Sequence, residues 1–434
     1  MHTYQRRSRR WPALAELKAA VLALRVNPSI PYSGMIEQFN MIEVALARAK
    51  RERASAENRS IAIASLPHEI LSQIFEILRH EDSEWIGGPG IAPSIRVSHV
   101  SATWRDIALS TASLWTAIYS SPSHDDTFYH TMINRSQESL LECTIRVEPS
   151  QDQTSAAMLA ALVPSNAHRL RVLRIIAPMW FIDGCVATLR ELSAPRMSQL
   201  LLHITNYNPQ SGPLLSRQRI FMGGTPKLVQ YDATGFDFRM IRPPLADVKI
   251  LNVTSYASDT LRDALLDVAL TVHALGIIIV PDTLAIFPPI QMSSLVSLEL
   301  LTEPFEIITF LGMIEAPELK SLKLSVPRRS RSTSYGSVVG KFSKLLSLQM
   351  EGMLESGILI AFPTLERLRV SDMHSRPTHL GDVFDLSQDS FSTLTPRLIH
   401  ITAPTRFKES IEAFCTARQS LGLSVPLFDA LEDI

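Results

Sequence analysis

The stretches LVSLEL (295–300), LKSLKL (319–324), LLSLQM (345–350) and LERLRV (365–370) share one spacing of apolar residues. Each has an apolar residue, two others, an apolar residue, one other, and a last apolar residue. Because alternate side chains of a β-strand point to one face, each stretch predicts a short strand with one buried face. The stretches start 24, 26 and 20 residues apart. One such unit cannot bury its apolar face alone, so we expect neighbouring units to stack.

The same spacing recurs along most of the chain after residue 141. Clear copies begin at Leu170 and Met197, weaker copies at Leu228, Val248 and Val272, and a degenerate copy lies near Leu398. Helical patterns between the copies predict helices that return the chain, at Ser258–Val272, Glu303–Glu315 and Arg406–Gly422. This alternation resembles leucine-rich-repeat proteins, although the asparagine that usually follows the strand is mostly absent. A charge-rich stretch at 327–336 is predicted to be an insertion between repeats.

Two helical segments are predicted at the start of the chain. Residues 11–26 and 35–57 carry apolar residues at helical spacing, and the proline- and glycine-containing stretch 27–34 separates them. The first segment follows a basic start that contains Arg6, Arg7, Arg9 and Arg10. A short amphipathic helix behind a basic tail is the favoured interpretation. The alternative is a mitochondrial transit peptide, because Glu16 is the only acid in the first 36 residues.

Residues 65–118 show a compact three-helix pattern. Ser65 and Pro67 are helix-entry signals, and they precede an apolar stripe formed by Ile70, Leu71, Ile74, Phe75 and Leu78. The glycine- and proline-rich stretch 80–94 predicts a loop. A second helical pattern follows through 95–110, and Leu114-Trp115 supplies a last apolar pair. So small a module usually gains stability by packing on a partner or on its own neighbour.

This segment resembles the F-box. LPHEIL at 66–71 with Ile74-Phe75 is similar to its opening, L-P-x-E-[IL]-L-x-x-I-F, and VSHVSATWRDIA at 97–108 is similar to its second half. Leu114-Trp115 resembles the closing L-W. The departures are Ser101, where cysteine is frequent, and the long loop at 80–94. The whole chain is similar to F-box proteins expanded in mushroom-forming fungi, and residues 127–147 resemble the linker helix and first strand of those proteins.

The resemblance implies a partner and a contact surface. F-box proteins dock onto a Skp-type adaptor of a cullin-RING ubiquitin ligase and recruit a target protein. The adaptor contacts that it implies are Leu66, Pro67, Ile70, Leu71, Ile74 and Trp104, whereas Phe75 and Val97 are expected in the core of the module. The alternatives are a non-catalytic repeat scaffold whose F-box acts outside a ligase, and an enzyme whose site the sequence does not display.

The target would meet residues that point away from the core of the repeats. If the strands line a concave face, the residues between the buried leucines are exposed on it. The main candidates are Ser297, Glu299, Ser321, Lys323, Arg367 and Arg369, and Gln199, Ser347 and Gln349 are further ones. One sequence does not identify the target.

We therefore predict an α/β protein in which N-terminal helices and a small three-helix F-box precede an irregular leucine-rich-repeat-like α/β solenoid. The predicted parts are an N-terminal basic helical segment (1–60), the F-box (61–120), a linker helix and first strand (121–147) and the repeat domain (148–434). A formal net charge of −1 gives no global attraction to nucleic acid or anionic membrane, and no stretch has the roughly 20 apolar residues that span a bilayer.

No catalytic motif is apparent. The chain lacks GxxxxGK[ST], GxSxG and HExxH patterns, and its three cysteines lie far apart, which fits a reducing compartment. Asp126 and His130 stand four residues apart and could share a helix face that holds a metal, but an ordinary solvated helix start is the favoured interpretation. We expect no cofactor, no metal and no catalytic residue, and a cytoplasmic or nuclear protein.

Overall fold

The computed structural model describes residues 16, 18, 19, 21, 22, 32–58, 61–83, 92–148, 153–205, 218–236, 241–255, 258–280, 284, 286–325, 335–351, 359, 361–371, 395–420 and 422–431. The basic start, most of the predicted first helix, the centre of the 80–94 loop and most of the 327–336 insertion lie outside these residues. The chain divides into two compact units, Met1–Thr116 with Met132–Ser139, and Ala117–Thr131 with Leu140–Ile434.

The first unit is helical in its described part. Its α-helices are α1 (Tyr32–Asn58), α2 (His68–Ser83), α3 (Pro93–Ser98) and α4 (Ala102–Ser110), and short 3-10 turns lie at Ala62–Ser65 and Ala112–Trp115. Leu71, Phe75, Val97, Ile107 and Trp115 are buried together with Ala108, as the apolar stripes require. The expectation that Phe75 and Val97 belong to the core is confirmed.

The second helical pattern of this unit is interrupted. A helix running through 95–110 is predicted, but the structure divides it into α3 and α4 with a turn at His99-Val100. Ser101 causes the new start, because its hydroxyl accepts a hydrogen bond from the backbone N–H of Trp104 at 3.2 Å. Such an N-cap satisfies a donor that the first turn of a helix leaves free.

The second unit is built on a large parallel sheet. Its strands in chain order are β1 (Ala117–Tyr119), β2 (Leu141–Arg146), β3 (Leu170–Ala177), β4 (Gln199–Ile204), β5 (Gln218–Arg219), β6 (Gln230–Thr234), β7 (Ile241–Arg242), β8 (Ile250–Ser255), β9 (Ala274–Ile279), β10 (Ile290–Gln291), β11 (Ser297–Leu301), β12 (Ile314–Glu315), β13 (Ser321–Ser325), β14 (Ser347–Glu351), β15 (Arg367–Ser371), β16 (His400–Pro404) and β17 (Leu427–Leu431). Thirteen strands form one sheet whose spatial order is the chain order, while β5 pairs with β7 and β10 with β12.

All ten predicted repeat copies contain a strand of the large sheet, including the weak copies at Leu228, Val248 and Val272 and the degenerate copy near Leu398. Each strand is parallel to its neighbours and pairs in register, so that equivalent residues of successive copies lie side by side. A row of buried side chains therefore crosses the sheet, through Leu251, Leu275, Leu298, Leu322, Leu348, Leu368 and Ile401. Stacking these rows removes from water the apolar face that a single copy exposes.

Helices connect many of the strands. They are α5 (Asp126–Arg135), α6 (Thr154–Asn166), α7 (Met179–Leu189), α8 (Ser258–Val268), α9 (Pro304–Gly312) and α10 (Lys408–Ser420). The three predicted returning helices correspond to α8, α9 and α10, each shorter than its predicted range. The sequence also predicts a helix before the first long strand, and α5 lies there. The fold is thus mixed α/β, with ten α-helices among the described residues and a large parallel sheet.

Candidate functional site

One face of α2 leaves apolar side chains in contact with solvent. Ile70 and Ile77 are 41% and 58% exposed, Ile74 between them is half-buried, and Pro67 is exposed just before the helix. Ile70, Ile74 and Ile77 follow i, i+4 and i+7 spacing, which places them along one side of a helix. We call Pro67, Ile70, Ile74 and Ile77 the α2 stripe. An apolar row of this kind on a small module is a candidate contact surface.

The opposite face of α2 anchors it to the module. Leu71 and Phe75 are each 1% exposed, and the ring of Phe75 lies 4.9 Å from that of Trp104 on α4. Leu71, which the sequence placed among the adaptor contacts, is therefore an internal residue of the module. Leu66 and Trp104, two others of that set, are half-buried. Leu71 and Ile70 differ in exposure because adjacent residues of a helix point about 100° apart.

Three side-chain hydrogen bonds hold the far end of α2 to the turn after α4. The Ser113 hydroxyl donates to Glu76 at 2.5 Å, and Arg79 Nη1 donates to the Thr116 hydroxyl at 2.7 Å. The Ser72 and Thr111 hydroxyls lie 3.2 Å apart. In the same turn the Trp115 indole donates to the Ala108 carbonyl at 2.7 Å, and the Arg135 guanidinium stacks 4.4 Å above the ring. These links fix the orientation in which α2 presents its stripe.

Ile77 is an exposed residue of this face that the motif does not name. It lies just after the opening part of the family motif, which ends at Phe75, yet it is the most exposed of the three isoleucines. The spacing of apolar residues in the sequence could have identified it, because Ile77 continues the i, i+4, i+7 series that begins at Ile70. Ile63, in the 3-10 turn before the helix, is also exposed and lies in the same module.

A second candidate surface is the outer face of the large sheet, the face formed by residues that alternate with the buried rows. Registered pairing brings the predicted target contacts into two rows. The first row runs through Ser297, Ser321, Ser347 and Arg367, and the second through Glu299, Lys323, Gln349 and Arg369. Residues predicted from separate repeats thus become lateral neighbours, about 4.8 Å apart from strand to strand.

The second row carries an ion-paired network. Lys323 Nζ lies 2.8 Å from Glu299 and 3.0 Å from Glu351, and the Ser325 hydroxyl donates to Glu351 at 2.6 Å. The hydrogen bond to Glu299 raises the pKa of Lys323. Burial works to raise the pKa of Glu351, but the hydrogen bonds from Ser325 and Lys323 outweigh it, and the pKa is lowered. Gln349 also donates to Glu351, at 3.1 Å. These groups largely satisfy one another.

Further toward the N-terminal strands, the outer face holds a half-buried polar cluster. Asp232 accepts hydrogen bonds from Gln230, at 2.7 Å, and from Asn252. Burial raises the pKa of Asp232 against these hydrogen bonds. Gly276 is the lateral neighbour of Asn252, and a Cβ there would collide with the Asn252 side-chain oxygen. The cluster is internally bonded, which is typical of a structural network.

The groups considered for catalysis do not form a reactive centre within the described residues. Asp126 and His130 share one face of α5 and lie 3.5 Å apart, but no group of three or more His, Cys, Asp or Glu side chains there is placed to hold a metal ion. Burial raises the pKa of the Cys143 thiol to about 12 and that of Cys185 to about 11, so both thiols stay protonated near neutral pH.

Residues 63–121 match the family model described as F-box-like. The match covers α2, α3, α4 and the whole α2 stripe, so the chain carries an F-box-like domain in its first helical unit. A domain of this family indicates a Skp-binding adaptor role in ubiquitin ligases, and its members are generally non-catalytic. No curated protein matches the chain significantly. Among the described helices, none is both long and apolar enough to cross a membrane.

Proposed function

We propose that this protein is a substrate-recognition adaptor of a cullin-RING ubiquitin ligase, which binds a Skp-type adaptor through the α2 stripe and a target protein through its sheet. The observation that carries the proposal is the row of Ile70, Ile74 and Ile77, with Ile70 and Ile77 exposed, within residues 63–121 that match the F-box-like family. The protein contributes no catalytic group in this proposal. It acts by proximity, because joining target and ligase in one complex raises their effective concentration.

The energetics of the α2 stripe favour a protein partner. Burying apolar surface contributes roughly 25 cal/mol per Å², so covering a large aliphatic side chain yields about 1.5–3 kcal/mol. Three isoleucines and a proline on one rigid face provide enough apolar surface to form the centre of an interface. A few central residues usually dominate the affinity of such an interface. Among the residues that the sequence named, Pro67, Ile70 and Ile74 would contact the adaptor directly. Leu71 would support them from beneath.

The second unit would present the target. We propose that its strands and returning helices form a leucine-rich-repeat-like solenoid over residues 148–434, after a linker at 121–147, and that the outer face of the sheet is the recognition surface. The chain would thus comprise an N-terminal helical segment (1–60), the F-box (61–120) and the repeat domain. A cytoplasmic or nuclear location follows from the compartments in which such ligases act, and neither nucleic acid nor membrane is a proposed partner.

The test is capture of a purified Skp-type adaptor by the full chain. We expect the natural chain to bind and Ile70→Asp to lose binding, because a carboxylate in a dry interface is costly. Val44→Asp is the matched control, since Val44 on α1 is 67% exposed and lies outside residues 63–121. Leu71→Asp is avoided, because charge at a buried site would unfold the module.

Circular dichroism of each variant would first show that it is folded. Absence of capture by the natural chain would overturn the adaptor proposal and favour a repeat scaffold whose F-box-like domain acts outside a ligase. Equal loss in Ile70→Asp and Val44→Asp would show that the effect is not specific to the α2 stripe.

A further inference from the structure

The first row of the outer face differs from the second in how its polar groups are satisfied. Ser297, Ser321 and Ser347 are half-buried and sit side by side on β11, β13 and β14. Within the described part of the chain their hydroxyls make no recorded hydrogen bond, whereas the Lys323 network alongside is bonded throughout. Half-buried hydroxyls that lack an internal partner are available to a ligand.

Two exposed arginines lie on β15, one in each row, and the first row continues beyond Arg367 to His400. Arg367 follows Ser347 in register on β15, and Arg369, two residues later, points to the same face about 7 Å further along the strand. Neither guanidinium is ion-paired within the residues that the structure describes. The carboxylate of Asp429, on β17, is bonded instead to His400, at 2.7 Å. The lateral neighbours of Arg369 are Gln349 and Thr402, which carry no charge.

We call Ser297, Ser321, Ser347, Arg367 and Arg369 the trough, because the short serine side chains lie beside two long, positively charged arginine side chains. Four strand positions span roughly 14 Å, which is the length of about four residues of an extended peptide. The serine hydroxyls can exchange hydrogen bonds with the amides of such a peptide, and guanidinium groups bind carboxylates in a bidentate manner. The residues of both rows include no aromatic ring, which disfavours single-stranded nucleic acid, since its bases stack on aromatic side chains.

We propose that this trough binds an extended acidic segment of the target protein, with the peptide backbone on Ser297, Ser321 and Ser347 and the carboxylates on Arg367 and Arg369. This inference rests on the proposed role of the sheet in target binding and specifies the chemistry of the target. Glu299 and Lys323 then act as a paired border of the trough. Discrimination against basic segments follows from the charge of the arginines.

The test measures binding of fluorescein-labelled Gly-Ser-Gly-Asp-Glu-Asp-Gly to the full chain by fluorescence anisotropy, beside the amide counterpart Gly-Ser-Gly-Asn-Gln-Asn-Gly. We expect the acidic peptide to bind about tenfold more tightly, because charge-assisted hydrogen bonds are roughly twice as strong as neutral ones. Arg367→Gln with Arg369→Gln should abolish that difference. Ser321→Val should weaken the binding of both peptides to a similar degree, because it removes a hydrogen bond to the peptide backbone.

Arg190→Gln with Arg196→Gln removes the same charge from exposed sites elsewhere, and this control should keep the preference. Equal affinity for the two peptides, or a preference that survives in Arg367→Gln/Arg369→Gln, would overturn the proposal. Tighter binding of an oligothymidine than of the acidic peptide would overturn it in favour of nucleic acid. The assay contains no Skp-type adaptor, so its outcome is independent of the docking experiment made on the same preparation.

Discussion

The rings of Phe75 and Trp104 lie 4.9 Å apart with their planes inclined by 54°. Phe75 belongs to α2 and is buried, while Trp104 belongs to the first turn of α4 and stays partly open to solvent. Tilted aromatic pairs at this distance contribute about 0.5–1.5 kcal/mol beyond the area that they bury. The pair joins the helix that carries the α2 stripe to the rest of the F-box-like domain.

Phe75→Ala should destabilise this domain by about 3–5 kcal/mol, because it removes a buried ring and leaves a cavity. The chain has two compact units, so a single unfolding midpoint would not isolate the effect. Hydrogen exchange of the α2 and α4 amides measures it locally. Ile77→Ala, at an exposed position of the same helix, should change protection by less than about 0.5 kcal/mol. Equal effects of the two substitutions would contradict the packing described for α2.

Ile77 should contribute to adaptor binding although the family motif does not name it. Ile77→Asp should weaken the complex at least tenfold, or about 1.4 kcal/mol, because the side chain is the most exposed member of the α2 stripe. Isothermal titration with a purified Skp-type adaptor measures the change. The same affinity for Ile77→Asp and the natural chain would restrict the contact surface to the motif residues Pro67, Ile70 and Ile74.

The Glu299–Lys323–Glu351 network should make a pH-dependent contribution to the stability of the second unit. The pKa of Glu351 is lowered in the folded state, so its contribution is present above the ordinary value of 4.5 and is lost as pH falls through the lowered value. Glu351→Gln should cost about 1 kcal/mol at neutral pH and less at acidic pH, as the carboxyl becomes protonated. Hydrogen exchange of the β13 and β14 amides at the two pH values measures the effect within the second unit.

Glu191→Gln is the control for this experiment, because Glu191 is largely exposed and bonded only to its neighbour Arg190 among the described residues. Its substitution should leave stability nearly unchanged at both pH values. A Glu351→Gln effect that stays constant with pH would show that the loss comes from packing and not from the charge.

The three thiols should react in a defined order. Burial raises the pKa of Cys143 to about 12 and of Cys185 to about 11, and both side chains are inaccessible to reagents. Cys415 on α10 is half-exposed, so iodoacetamide should modify it first in the native protein. Peptide mapping by mass spectrometry follows each site. Modification of Cys143 before Cys415 under native conditions would disagree with the burial of β2.

Much of the secondary structure follows from local patterns. The two-residue alternation in LKSLKL and its relatives is sufficient to predict strands, because a strand sends every second side chain into the core. Even the poor copy near Leu398 yields β16. The break between α3 and α4 was missed, because the apolar periodicity continues across it. A serine such as Ser101 can cap a helix or lie inside one, so its presence alone does not reveal the break. Helices α6 and α7 were not predicted, because their apolar residues are not confined to one side of the helix.

The candidate surfaces were predictable in composition but not in detail. The motif predicts both Ile70 and Leu71 as adaptor contacts. Both are large aliphatic residues, so their residue types do not show which one is buried in the core and which one is exposed. Likewise, Ser297, Ser321, Ser347 and Arg367 belong to four different repeats. Pairing in register places them in one row, and the lengths of the intervening loops do not reveal that row in advance.

The sequence by itself determined where the strands of the large sheet lie, that residues 61–120 resemble an F-box, and which residue types alternate with the buried leucines. These properties depend on the local geometry of strands and helices, whose periods of 2 and 3.6 residues are written in the spacing of apolar side chains. The tertiary structure alone decided that Ile70 faces solvent while Leu71 is buried, and that Ser297, Ser321 and Ser347 lie in a row that continues to Arg367. Those outcomes depend on which elements pack together, and packing joins residues that are distant in sequence.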